Sequence, residues 1–128
     1  MRNSIKSFAV VSTVALSAGL MACGGGSSST DTIPANADVV VKATNSISFD
    51  KDTYTANAGD IGVAYQNESS LRHTLLVVKD GDKVSGFKLI INKKGDVDSG
   101  QVTLKAGEYT LICDVPGHSN MKAKFTVK

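Results

Sequence analysis

A thiol, an imidazole and a thioether fall within nine residues of one stretch, CDVPGHSNM, from Cys113 to Met121. The spacing is C-x4-H-x2-M. A thiolate and an imidazole give copper strong soft-to-borderline bonds, and a thioether at longer range supplies a weak axial one. A blue-copper set of this kind needs a second imidazole. His73, at the start of the run HTLLVV, is the one other histidine in the chain. Structural zinc fits less well, because it prefers closed sets of Cys and His and a thioether is a poor zinc ligand.

A census of donors sharpens the reading. After Cys23 the sequence holds one cysteine (Cys113), two histidines (His73, His118) and one methionine (Met121). Every soft or imidazole donor of that part is therefore in the candidate set. Each member has a plainer reading alone. A single strand histidine is usually a hydrogen-bonded polar residue. An inward cysteine or methionine is usually core. Four such residues in this order and spacing favour a metal site. Two histidines cannot also build a second catalytic copper centre, so a multicopper enzyme is excluded and a non-enzymatic role is expected.

The surrounding periodicity must position these donors, and it is that of strands. Tyr109, Leu111 and Cys113 share one face of EYTLIC. Met121, Ala123, Phe125 and Val127 share one face of the last run, with Lys122, Lys124, Thr126 and Lys128 on the other, as one buried and one wet face require. Leu75 and Val77 lie on the face of His73. Further strands are expected at Val39–Ala43, around Ile47 and Phe49, at Ile61, Val63 and Tyr65, within 87–92, and at Val102–Leu104. Ala58-Gly59-Asp60, Asp80-Gly81-Asp82 and Ala106-Gly107 are turn signals. Lys93-Lys94-Gly95-Asp96 reads as a solvated hairpin tip. No stretch has a strong helical period. Seven to eight short strands in about ninety residues predict an all-β, Greek-key β-sandwich. Periodicity alone does not separate this from an immunoglobulin-like domain, although the cysteine pair and tryptophan of that fold are missing. Pro116-Gly117 favours a turn that swings His118 back towards Cys113.

On these residues the chain resembles the cupredoxins, the small blue-copper proteins that include azurin, plastocyanin, amicyanin and auracyanin. The resemblance covers roughly residues 38–128. It rests on QNESSLRHTLLVV, on GEYTLICDVPGHSNMKAKFTV with its C-x4-H loop ending Pro-Gly-His, and on Tyr109, which matches the family's tyrosine corner. The resemblance implies one copper ion cycling between Cu(I) and Cu(II). It makes His73, Cys113 and His118 equatorial ligands and Met121 the axial one. It also implies single-electron transfer between transient redox protein partners, with His118 as the port within a patch of Val115, Pro116 and Gly117. The sequence departs from the family in details. Thr74 follows the first histidine where Asn is common, Asp114 follows the cysteine where Thr or Ser is common, and Ala123 stands where Gly is common. The H-x2-M step is shorter than in azurin and like that of amicyanin. Thr74 and Asp114 are expected to make the usual hydrogen bond with its polarity reversed.

The front of the chain is of a different kind. Arg2 and Lys6 precede an apolar stretch, Phe8 to Met21, that is short for a membrane span. LMAC, ending at Cys23, resembles the lipobox of bacterial lipoproteins. That resemblance implies cleavage before Cys23 and lipidation there, and so a membrane anchor through Cys23. An ordinary secretory signal with a free Cys23 is the alternative. Residues 1–22 are thus expected to be a signal peptide, 23–37 a linker and 38–128 the folded domain. GGGSSST cannot bury an apolar face and reads as a flexible tether, and the whole segment GGGSSSTDTIPANAD spans on the order of 20 Å. Gly24 is not the aspartate that retains some lipoproteins at the inner membrane. The expected location is the cell envelope, with the domain facing the periplasm or the exterior.

The chain carries 14 Lys and Arg against 12 Asp and Glu. Without residues 1–22 the balance is 12 against 12. No basic cluster interleaves with aromatics, so no nucleic-acid surface is expected. A monomer is expected. Two other roles share these residues: an envelope copper-binding protein for storage or delivery, and a metal-free adhesive or scaffolding sandwich.

Overall fold

A computed structural model describes residues 32–128, which form nine strands in two sheets and, among the described residues, no helix. The strands are β1 (Val39–Ala43), β2 (Thr53–Ala56), β3 (Gly59–Asn67), β4 (His73–Lys79), β5 (Asp82–Lys83), β6 (Leu89–Ile91), β7 (Val97–Leu104), β8 (Gly107–Ile112) and β9 (Lys122–Val127). The expected signal segment, Cys23 and most of the expected linker lie outside the described residues.

One sheet has the order β1-β3-β7, with β1 parallel and β7 antiparallel to β3. The other has the order β2-β9-β8-β4-β5, and β6 also pairs with β4. The core lies between them. Ile61, Val63 and Tyr65 of one sheet face inward, as do Leu75, Val77, Leu111, Ala123, Phe125 and Val127 of the other, and all are buried in a single cluster. Burying a Leu or Phe side chain of this kind contributes about 1.5–3 kcal/mol. The all-β sandwich expected from the alternation is what forms.

Three local expectations need correction. The alternation around Ile47 and Phe49 makes no strand; Phe49 joins Ala43 by an isolated antiparallel bridge. The Thr44 hydroxyl reaches the Ser48 carbonyl and hydroxyl, and the Thr44 amide donates to the Ser48 carbonyl, so the chain reverses too tightly for a ladder. Ile47 is held at φ 52° in that reversal, a costly conformation for a β-branched residue. Thr53–Ala56 was not anticipated, because TYTA is short and edge-placed. It becomes a strand by pairing in parallel with β9. Lys93–Asp96 is a turn, but Asp96 is buried rather than solvated. Its Oδ2 accepts from the Asn92 and Lys93 amides, which holds the turn closed. With the two-residue β5 and the three-residue β6, nine strands replace the seven or eight expected.

The Asp80-Gly81 signal behaves as its chemistry requires. Lys79 pairs with Asp82 across it, and both turn residues have positive φ, the two-residue hairpin geometry that Asp-Gly favours. Tyr109 donates its hydroxyl to the Lys105 carbonyl at 2.9 Å, so the expected tyrosine corner is present.

Two pairings build the pole of the sandwich that matters. β4 and β8 run antiparallel, as do β8 and β9. The start of β4, the end of β8 and the start of β9 therefore meet at one end.

Candidate metal centre

His73 is the first residue of β4, Cys113 directly follows β8, and Met121 directly precedes β9. The strand ends thus bring together three of the four candidate donors. The Cys113 amide donates to the Met121 carbonyl at 3.3 Å, which extends the β8–β9 ladder by one step and clamps both residues.

His118 is delivered by the loop between them. Its amide donates to the Val115 carbonyl at 3.0 Å, closing a turn with Pro116 and Gly117 at its centre. Gly117 has φ 88°, which the second central position of such a turn demands and which glycine adopts without steric cost. The Met121 amide then donates to the His118 carbonyl at 2.9 Å, so a second turn begins where the first ends.

The outcome is one cluster. One donor atom from each of His73, Cys113 and His118 lies within 4.8 Å of the others. Cys113 Sγ is 3.7 Å from His118 Nδ1, and the two imidazole centroids are 4.8 Å apart. Bonds of about 2.0 Å to nitrogen and about 2.3 Å to sulfur, set at trigonal angles, put such donors about 3.7 Å apart. The Cys113–His118 spacing therefore fits two donors on a single first-row metal ion, and His73 lies within reach of the same point. Met121 is buried in the same core cluster.

His73 carries a sharper indication. It is completely buried, its Nε2 is 2.7 Å from the Ser69 hydroxyl, and its Nδ1 has no hydrogen-bond partner. An unpartnered buried ring nitrogen costs about 1–3 kcal/mol unless something fills its direction. Burial, and then the neighbouring His118, hold the His73 imidazole below its ordinary pKa. The ring is thus kept neutral, which is the form that binds metal.

The cysteine sulfur accepts a hydrogen bond from the Thr74 amide and lies beside the Thr74 hydroxyl oxygen. The Thr74 amide is 3.4 Å and the Thr74 hydroxyl 3.5 Å from Sγ. The same hydroxyl donates to Asp114 Oδ1 at 2.6 Å and accepts from the Asp114 amide at 2.9 Å. The expected Thr74–Asp114 pair thus forms, with the side-chain carboxylate as acceptor. Lys88 and Lys83 stand 3.3 and 3.6 Å from Asp114 Oδ2. The Thr74 hydrogen bond, and then the lysines, hold the Asp114 carboxyl below its usual range against a smaller opposing effect of burial.

Access to the cluster is one-sided. His73 has no exposed surface, whereas His118 is 7% exposed. Pro116 and Gly117 beside it are exposed and Val115 is half-buried. Leu71, at 44%, is the exposed large hydrophobic residue among those described, and lies two residues before His73. Ser69 and Asn67, which hold the back of His73, were missed by the sequence reading. The available signal was a hydroxyl four residues before the histidine.

No protein-family model matches this sequence, and no curated protein matches it at sequence level. Solved structures do resemble it in shape. Auracyanin A, a "blue" copper protein from Chloroflexus aurantiacus, aligns with a TM-score of 0.59 and 22% identity, over 70% of this chain and 96% of its own. Amicyanin from Paracoccus versutus aligns with a TM-score of 0.56 and 25% identity, over 75% and 85%. An azurin from Methylomonas sp. strain J aligns with a TM-score of 0.61 and 15% identity, over 73% and 99%. The strand order, the site pole and these likenesses lead to one conclusion: the described part of this chain has the cupredoxin fold.

Proposed function

We propose that this protein is a mononuclear copper protein that carries single electrons between redox partners, and is not an enzyme. One observation carries the reading. His73, whose buried Nδ1 has no hydrogen bond, belongs to a cluster in which His118 Nδ1 already faces Cys113 Sγ at 3.7 Å. His73, Cys113 and His118 would hold the ion, with Met121 as a weak axial donor. Copper supplies the one-electron Cu(II)/Cu(I) couple, and a His2Cys set with a long thioether accommodates both states.

The protein's own part is positional. Strand ends and the two linked turns fix the donors, so little has to move when the charge changes. The buried core behind Cys113 keeps water out, and the Thr74 amide donates a hydrogen bond that steadies the sulfur. His118 is the donor nearest solvent, and the small patch of Val115, Pro116 and Gly117 around it suits brief, weak docking of the kind redox partners use. The auracyanins, azurins and amicyanins that share the fold support this reading. Export, lipidation at Cys23 and a place in the cell envelope belong to the same proposal and rest on the sequence pattern.

The deciding experiment is titration of the protein with Cu(II), followed by optical and electron-paramagnetic-resonance spectra. An intense thiolate-to-copper band at one copper per chain, bleached by a mild reductant and restored by an oxidant, is expected. Ordinary copper parameters with no such band would overturn the proposal. Rapid loss of copper to a chelator would point instead to metal storage or delivery.

A further inference from the structure

The back of His73 is held by side chains. Ser69 Oγ is 2.7 Å from His73 Nε2, 3.1 Å from Asn67 Oδ1, and accepts the Leu71 amide at 3.1 Å. Asn67 Oδ1 also accepts the Ser69 amide at 3.0 Å, and Asn67 Nδ2 donates to the Leu71 carbonyl at 2.7 Å. Asn67 and Ser69 are both buried. The Asn67 main chain is fixed from both sides: its amide donates to the Asp96 carbonyl and its carbonyl accepts the Gly95 amide, each at 2.8 Å.

Proton counting gives this chain a direction. Asn67 Nδ2 faces a carbonyl, which can only accept, so the amide orientation is set and Oδ1 must face Ser69. Oδ1 has no proton, so the Ser69 hydroxyl must donate its one proton to it. The hydroxyl then has only lone pairs for His73, and Nε2 must carry the hydrogen that fills them. A neutral imidazole with its proton on Nε2 leaves Nδ1 bare. Nδ1 is the atom that lacks a partner, and His73 belongs to the cluster with Cys113 and His118.

We infer that Asn67 and Ser69 are positioning residues that set the His73 tautomer, so that the Nδ1 lone pair is presented to the metal before any metal arrives. The inference rests on the copper reading for its purpose but not for its geometry. Asn67–Ser69–His73 is a local device: all three residues lie within one β3–β4 connection and its flanking positions, so it forms with the fold and needs no ion to complete it. Its effect is to remove a competing state. A His73 with its proton on Nδ1 would have to lose or move it before binding.

The test uses the full chain without metal, with histidine labelled by nitrogen-15. The nitrogen spectrum of His73 is expected to show a proton on Nε2 and none on Nδ1. In Ser69→Ala the Nε2 proton loses its acceptor, so the second tautomer becomes populated. Affinity for Cu(II) should fall about 10–100-fold, the usual cost of removing a partner behind a metal-ligating histidine. Ser69→Thr, which keeps the hydroxyl, should restore both. A wild-type His73 protonated on Nδ1 would sink the inference without any variant being made. So would a folded Ser69→Ala protein with unchanged tautomer and affinity. The nitrogen spectrum needs no copper, so the tautomer can be right while the copper proposal fails, and the two failures are read separately.

Discussion

The Thr74 hydroxyl and Asp114 hold each other in both directions: Thr74 Oγ1 donates to Asp114 Oδ1 at 2.6 Å and accepts from the Asp114 amide at 2.9 Å. The pair ties the start of β4 to the residue after Cys113, at the point where neither strand has a ladder partner for the other. Thr74→Val keeps the shape and removes both bonds. The metal-free protein should lose about 1–3 kcal/mol of stability, because two hydrogen bonds worth about 0.5–1.5 kcal/mol each are removed. Urea unfolding measures this, and a change below about 0.5 kcal/mol would mean the pair is ornamental.

Tyr65 presents the opposite case. It is fully buried and its hydroxyl has no hydrogen-bond partner. Removing an unsatisfied hydroxyl removes a desolvation cost, so Tyr65→Phe should be neutral or stabilising by up to about 1–2 kcal/mol. A clear loss of stability in thermal unfolding would show that the hydroxyl does have a partner in solution.

The two most buried tyrosines also predict an alkaline limit. Burial raises the pKa of Tyr65, and burial followed by the Asp50 hydrogen bond and charge raises that of Tyr54, both far above the ordinary value of 10.0. Their folded values exceed their unfolded ones, so the protonated form is favoured in the native state. The stability this gives is fully present below pH 10 and is lost as pH rises above it. The slope is about 1.4 kcal/mol per pH unit for each tyrosine. Stability of the metal-free protein measured between pH 9 and about 11.5 should show it, and Tyr65→Phe should remove the share of one residue.

Gly117 tests the loop. At φ 88° it has open space where a Cβ would go, so Gly117→Ala meets no clash and its cost is purely conformational. About 1–2 kcal/mol of destabilisation is expected. If the turn opens instead, the His118–Cys113 spacing is lost and copper binding weakens along with stability. Parallel unfolding and copper-titration curves separate these outcomes.

The proposed ligands predict different spectra. Cys113→Ala should abolish the intense visible band, because the thiolate is its source. Met121→Leu should keep a band and raise the reduction potential, because only a weak axial donor is lost. A blue protein lacking Cys113 would refute the assignment.

Much of this protein is legible in its sequence, and the reason is physical. A period of two with one wet face can only be a half-buried strand, so Met121 to Lys128 announced β9 and Tyr109 to Cys113 announced β8. The C-x4-H-x2-M spacing is local too, and Pro116-Gly117 fixes the turn that makes it work. The Asp80-Gly81 hairpin follows from the backbone preferences of its two turn residues, and the Tyr109 corner was expected from the family resemblance. Other features depended on partners far along the chain. Thr53–Ala56 is a strand only because β9 offers it an edge, and the alternation at Ile47 fails because Thr44 and Ser48 close on each other. Asp96 looks like a solvated turn residue until its carboxylate is seen capping the turn from inside. The meeting of His73 with Cys113, 40 positions apart, was decided by the antiparallel pairing of β4 with β8. The proton order through Asn67 and Ser69 depends on which atom of each side chain faces which neighbour, and that is fixed only when the sandwich closes.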